Sequence, residues 1–218
     1  MNKIQDNSLL NNNQEKSDYD LYSNFSTLLQ SYLFTKNTNF GEIRKSLFNS
    51  QPLKSIMNSK PSSASKIDNH VYKIFLNDLN AKRTVFGGLI MSIADRLAVV
   101  VAERHSGHTC VTASVDSWHF VAPAQENDTL LFSAAINKAW TSSMEIGVRV
   151  EAENSYLGTK RHIVSAYFTF VALDAEGKPA PVPALVPENE KELQRFAAAE
   201  IRRQARLSVR EQLKQYKA

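Results

Sequence analysis

The chain has one cysteine, Cys110, among 218 residues. A lone thiol makes neither an intrachain disulfide nor a cysteine-based metal cluster, so a disulfide-stapled secreted miniprotein is excluded. Long apolar runs are also missing. The longest, Leu97 to Ala102, falls far short of the ~20 residues that span a bilayer, and no membrane partner is expected. The first twenty residues carry Asp6, Glu15, Asp18 and Asp20 with no apolar core, unlike a secretory or transit signal, which predicts a cytoplasmic protein. Charge is nearly balanced, at +4. The one dense basic cluster, Arg202, Arg203, Arg206 and Arg210, lies among Glu188, Glu190, Glu192, Glu200 and Glu211. It reads as a solvated helix face, and with no finger or aromatic–basic motif no nucleic-acid partner is expected.

What is present divides near residue 69. Residues 1–69 hold 11 Asn, 12 Ser and a single glycine, Gly41, too little apolar surface to offset the entropy of ordering. They read as a poorly ordered extension, and deleting residues 1–66 is expected to leave stability unchanged. From residue 70 the texture becomes regular. His70–Leu79 alternates like a strand, and Leu89–His105 is too long and too unbroken for anything but a helix. Thr109–Phe120, Thr129–Lys138, Ser143–Glu153 and His162–Leu173 follow as strands, and the short connectors between the last three are the signature of an antiparallel meander. The helix is apolar nearly all round, so burial on most of its faces is expected. After prolines at 179, 181, 183 and 187, Glu188–Tyr216 reads as an exposed amphipathic helix. The expected architecture is α+β: a five-stranded antiparallel sheet wrapped around one long helix, with a C-terminal helix appended. The domain is placed at residues 70–187 and the tail helix at 188–218.

Asp95 stands out inside the apolar helix, two turns past Gly87-Gly88, too deep to cap it. A buried carboxylate costs several kcal/mol unless it is paired or protonated. Two readings are open: a structural ion pair, with Arg96 for example, or an acid poised as general base or nucleophile. Phe86-Gly87-Gly88 opens the helix, where first-turn N–H groups are free for an oxyanion. The bland alternative is a tight loop-to-helix packing site. His105, His108 and Cys110 form a weak H-x-x-H-x-C cluster with no partner motif, and no metal is expected. Nucleophile-elbow, zincin and phosphate-loop motifs are absent.

These residues together resemble a known family. Phe86-Gly87-Gly88, Ile90-Met91, Asp95, Ala102-Glu103-Arg104-His105 and Val111-Thr112-Ala113-Ser114-Val115-Asp116 occur in that order. Ser143-Met144-Glu145-Ile146, Ala166 to Val171, Gly177-Lys178-Pro179 and Leu185-Val186-Pro187-Glu188 follow. The pattern, over residues 70–206, is similar to the acyl-CoA thioesterases of the hotdog superfamily. It is most like the C-terminal half of the two-domain cytosolic hydrolases and their bacterial single-domain relatives. The resemblance implies a hotdog fold and self-association as dimers, often as trimers of dimers. It implies hydrolysis of acyl-CoA to fatty acid and coenzyme A, which is part of the substrate and a product rather than a cofactor.

It further implies a catalytic pair contributed across the dimer interface, Asp95 from the helix and Asn80 from the loop before it. Gly87 and Gly88 supply the oxyanion hole, and Phe86, Arg83 and Ser143 join them in binding substrate. Arg83 occupies a position where the family often has glycine, so the loop is expected to be stiffer, or its charge to face the nucleotide phosphates. Two rivals remain. One is a non-catalytic acyl-CoA-binding hotdog module. The other is a hotdog dehydratase, suggested by His119-Phe120 but lacking that family's following Pro-Gly.

Overall fold

The computed structural model describes residues 59–116 and 118–216. The reading of residues 1–58 as poorly ordered lies outside them. Strand β1 is Ser59–Pro61 and β2 is Ile67–Lys73. Helix α1, Gly87–Ser106, is followed by β3 (Thr109–Val115), β4 (Asp128–Ala139), β5 (Ser143–Asn154) and β6 (Thr159–Leu173). Strand β7, Ala184–Val186, and helix α2, Glu190–Lys214, complete the chain. The main sheet is five-stranded in the order β2-β4-β5-β6-β3, and all its pairings are antiparallel.

One face of the sheet packs on α1 because alternate residues of the long strands are apolar. Val148 and Val150 of β5 and Ala166, Phe168 and Phe170 of β6 are buried on the inner face, as period-two alternation requires. Against them α1 turns Ile90, Ala94, Ala98, Val101 and Ala102, a stripe of helical period whose alanines bring the helix close to the sheet. The expectation that α1 would be buried on most faces is corrected. Leu97, Val99 and Val100 are only half-buried and Met91 is exposed. The helix stops at Gly107, which adopts φ 73° and donates its N–H to the Glu103 carbonyl, the left-handed ending that glycine permits.

The lower boundary of the folded body lies before residue 70. β1 pairs in parallel with β7, Ser62 and Ser65 are buried, and Lys60 Nζ donates to the Arg104 carbonyl at the end of α1. Deleting residues 1–66 is therefore expected to destabilise the protein, by about 2–4 kcal/mol. That sum takes ~1 kcal/mol per net hydrogen bond and up to ~1 kcal/mol for a cation at a helix C-terminus. Urea denaturation of the truncated chain checks this, and an unchanged midpoint would contradict it.

Helix α2 crosses the outer face of the sheet, and the prediction of a solvated basic face is corrected there. Arg202 bonds Glu145 at 2.6 Å and stacks on the Tyr167 ring, while Arg206 reaches Asp116 at 2.6 Å. Glu145 has no exposed side-chain surface. Its second donor is Asn137 Nδ2, at 3.0 Å, which lies where a Cβ on Gly147 would sit. The glycine thus makes room for the amide. Arg203 lies over Trp140.

Two groups tie stability to pH. Burial, the largest influence, and the nearby Lys60 charge push the imidazole of His105 below its ordinary 6.5; the Pro183 carbonyl only partly opposes them. Partial burial works against ionisation of Glu200, but hydrogen bonds from Lys138, Gln204 and Trp140 outweigh it and hold the carboxyl at about 2. A depressed histidine binds its proton first in the unfolded chain, so stability declines as pH falls below about 6.5. The depressed carboxylate contributes above about 4.5, and that contribution is lost as pH falls toward 2. The thermal midpoint is expected to drop in both windows, with the upper step reduced in His105→Gln. A wild-type midpoint that is flat from pH 7 to 5 would refute the histidine assignment.

Candidate active site

Asp95 lies at the flank of the alanine stripe of α1, about 100° round from Ala94, and is half-buried. Its Oδ1 accepts a hydrogen bond of 2.7 Å from the Thr112 hydroxyl on β3. The ion-pair reading fails: among the described residues Asp95 has no cationic partner, and the carboxylate is held by a neutral hydroxyl with Oδ2 left free. Thr112 pairs with Phe170 in the sheet register, which turns its side chain toward the helix. Sequence reasoning quoted Thr112 in a motif but assigned it no role. The signal was an exposed-looking strand threonine, and only its place opposite Asp95 gives it meaning.

The loop before α1 is built around Asn80. Its Oδ1 accepts from the N–H groups of Lys82 (2.9 Å) and Thr84 (3.3 Å), and its Nδ2 donates to Thr84 Oγ1 (2.8 Å). This side chain-to-backbone turn carries Arg83 at φ 56°. A non-glycine residue in that region costs about 1–2 kcal/mol, which explains why a glycine suits this position. Arg83 pairs with Glu126, so the strained residue is fastened to the following loop. Buried Asp78, overlooked in the sequence, anchors the other side, accepting from Phe75 N–H at 2.8 Å and Tyr72 OH at 3.1 Å. The Asp78 carbonyl in turn accepts the Phe86 N–H at 2.9 Å. No hydrogen bond joins Asn80 to Asp95 among the described residues.

Gly87 and Gly88 begin α1 without a side-chain cap, so their N–H groups are the unpartnered donors of a helix start. A Cβ on Gly87 would sit 3.1 Å from Phe120, and one on Gly88 2.5 Å from Phe86. The loop-to-helix packing reading is thus true as well, and it is compatible with donors facing outward. Ser143 is not brought to this site. It pairs with Val171, which pairs with Val111, so it lies on the sheet face opposite Thr112. The His105–His108–Cys110 cluster is also dispersed into structural bonds: His105 Nε2 meets the Pro183 carbonyl and Cys110 Sγ the Ser106 hydroxyl. His119 is exposed at the protein surface.

A five-stranded antiparallel sheet packed on one long helix defines the hotdog fold. Comparison with known proteins agrees. The Thioesterase superfamily model matches residues 83–159. A Bacillus subtilis protein named as an uncharacterized acyl-CoA thioester hydrolase is 40% identical over 121 residues, covering 56% of this chain and 70% of that protein. The cytosolic acyl coenzyme A thioester hydrolase of Rattus norvegicus is 35% identical over 144 residues, 65% of this chain but only 38% of the rat enzyme. A solved acyl-CoA hydrolase from Staphylococcus aureus, bound to butyryl coenzyme A, coenzyme A and coenzyme A disulfide, superposes with a TM-score of 0.68 at 36% identity, covering 72% of this chain and 96% of that one. The chain belongs to the thioesterase superfamily, among its acyl-CoA thioester hydrolases.

The Staphylococcus aureus enzyme has also been solved with alanine at an asparagine, at an aspartate and at a threonine. In that chain fifteen positions separate the asparagine from the aspartate, and seventeen the aspartate from the threonine. Asn80, Asp95 and Thr112 repeat both intervals.

Proposed function

We propose that the protein hydrolyses acyl-CoA to a free fatty acid and coenzyme A, with Asp95 as its central group. The observation that carries this is the half-buried carboxylate fixed through one oxygen by Thr112 of β3, its other oxygen without a hydrogen bond among the described residues. Two routes satisfy that geometry. In one, Asp95 takes a proton from water as the water oxygen bonds to the thioester carbonyl carbon. In the other, the carboxylate attacks that carbon itself, giving a mixed anhydride that water then opens. In both, the carbonyl π electrons move to oxygen, where the Gly87 and Gly88 N–H groups face the developing charge. Collapse breaks the C–S bond and releases the coenzyme A thiolate, which leaves as the thiol after protonation. Arg83 and Phe86 border the site and would contact the substrate. No step calls for a cofactor. Assay of the purified protein with a panel of acyl-CoAs and a thiol reagent tests the reading, and absence of thiol release from every chain length would overturn it.

With no hydrogen bond joining Asn80 to Asp95 among the described residues, the reading extends to a site shared between two copies, with Asn80 of one orienting water or carbonyl for Asp95 of the other. Hexameric organisation in a related acyl-CoA thioesterase with 31% identity and TM-score 0.67 is consistent with self-association. The sharing has a distinctive consequence. Inactive Asn80→Ala and Asp95→Ala chains, unfolded and refolded together, should form mixed dimers with one intact and one doubly broken site. With random reassortment about half the dimers are mixed, so activity should return to roughly a quarter of wild type. Confirmed exchange of tagged chains without recovery would refute the shared site. A cytosolic place of action is supported by the rat relative's name.

A further inference from the structure

Helix α2 crosses the strands of the sheet in spatial order. Glu200 pairs with Lys138 of β4, Arg202 with Glu145 of β5 and Tyr167 of β6, and Arg206 with Asp116 just beyond β3. β3 is the edge of the sheet, yet the helix runs on to Lys214. At 1.5 Å per residue, the segment from Leu207 projects about 12 Å past the edge, the width of about two strands at ~4.8 Å spacing. Every residue from Leu207 to Tyr216 is exposed, including Val209 and Leu213 at 54% each. These two continue the helix stripe that carries Arg202 and Arg206 at spacings of three and four, so they face the same side as the groups packed on the sheet. Beneath the overhang is an open cleft of about 590 Å³ bordered by Asp116, Tyr167, Arg206, Val209 and Leu213.

The edge below it is equally unfinished. β3 reads Thr-Cys-Val-Thr-Ala-Ser-Val, without a charge or a proline, and Val111 and Val115 are 44% and 46% exposed. Edge strands left free in solution usually carry such protection. The opposite edge, β2, has it in the charges of Asp68 and Lys73; both edge strands carry one irregularity of register, so the difference lies in charge. An uncharged edge invites another strand, and a second copy of β3 is self-complementary about a two-fold axis.

Antiparallel pairing of β3 with its copy lays the end of one β3 beside the beginning of the other. The overhang of α2 stands over the end, at Asp116. It therefore projects onto the outer face at the start of the neighbouring β3, where Val111 and its register partner Val171 lie. We propose that the last two turns of α2 form an arm that clamps a second copy of this chain, with Val209 and Leu213 seated on the partner's Val111 and the partner's Val171. The inference rests on the self-association proposed above and adds the surface that secures it. The clamp is reciprocal: each copy gives one arm and receives one.

The test uses the full chain with the photo-cross-linker p-benzoylphenylalanine at Leu213, refolded as a mixture of ¹⁴N and ¹⁵N protein. Irradiation is expected to give mixed-isotope cross-links to peptides containing Val111 or Val171. Cross-links within one isotope only, cross-links to residues 1–58, or none in a confirmed dimer would overturn the clamp. Independently, Val209→Asp with Leu213→Asp should raise the dimer dissociation constant at least tenfold in sedimentation, whereas Ile201→Asp, on a 72% exposed position, leaves it unchanged. Wild-type dimerisation of the double variant would refute the proposal. A chain that stays monomeric at all concentrations would refute self-association too, and thiol release by the wild type reports on hydrolysis separately.

Discussion

Asp95→Ala is expected to lower kcat/KM for acyl-CoA hydrolysis by about 10²–10⁴-fold, the range that a positioned general base supplies. Asp95→Asn should do nearly the same, because the amide keeps the shape and loses the basic oxygen. Neither should unfold the protein: the carboxylate is half-buried and its single recorded bond is to Thr112. Near-wild-type circular dichroism and thermal midpoint, measured beside the rates, separate chemistry from folding. Thr112→Val should cost roughly 10–100-fold, the equivalent of a hydrogen bond of ~1.5–3 kcal/mol to a charged acceptor. Thr112→Ser, which keeps the hydroxyl, should recover most of it. If threonine mattered only for packing, valine would be the better replacement and serine the worse. Wild-type turnover by a folded Asp95→Ala protein would remove the basis for the proposed mechanism.

The largest effect on stability is expected on the other face of the sheet. Arg202→Ala leaves Glu145 with no exposed side-chain surface and without its principal cation. Arg206 Nη1 remains near it at 3.4 Å but is engaged with Asp116 at 2.6 Å. Removing one member of a buried pair costs about 3–5 kcal/mol, because the surviving charge remains desolvated. In a domain of this size that lowers the thermal midpoint by roughly 10 °C. Replacing both members, as Arg202→Met with Glu145→Gln, should be milder than Arg202→Ala alone, since no unpaired charge stays behind. Asn137 can still bond the glutamine oxygen. Chemical denaturation at neutral pH decides the matter: a loss below 1 kcal/mol for Arg202→Ala would show that water reaches Glu145. The arm proposed beyond Arg206 depends on this anchor, so Arg202→Ala should weaken self-association as well.

The elements whose patterns are local were legible in the sequence. Alternation in β5 and β6 and the unbroken apolar run of α1 report their own conformation, because each residue's neighbours at two or at three and four positions share its face. Asp95 was conspicuous as a charge inside an otherwise largely apolar helical run. Asn80 was reached only through the resemblance; composition and spacing offered no reason to prefer it to any other loop asparagine. The basic cluster of α2 was misread because the residues that neutralise it, Glu145 and Asp116, lie 57 and 90 positions away. A helical wheel counts only charges on the same helix. The start of the folded body was misplaced for a related reason: β1 is three residues long and exists only through β7, 125 positions further on.

The sequence by itself determined the fold class, the curved sheet's strands, the central helix and the acid it carries, since these rest on burial patterns written at short range. Tertiary structure alone decided what that acid is bonded to, which way Ser143 and the arginines face, and that residues 59–66 belong to the folded body. It also left the outer edge of β3 without a strand partner among the described residues, beneath a helix that outruns the sheet. Those facts depend on pairing register and on contacts between distant segments. A one-residue change of register would turn Thr112 from the helix to the opposite face, with almost no trace in local composition.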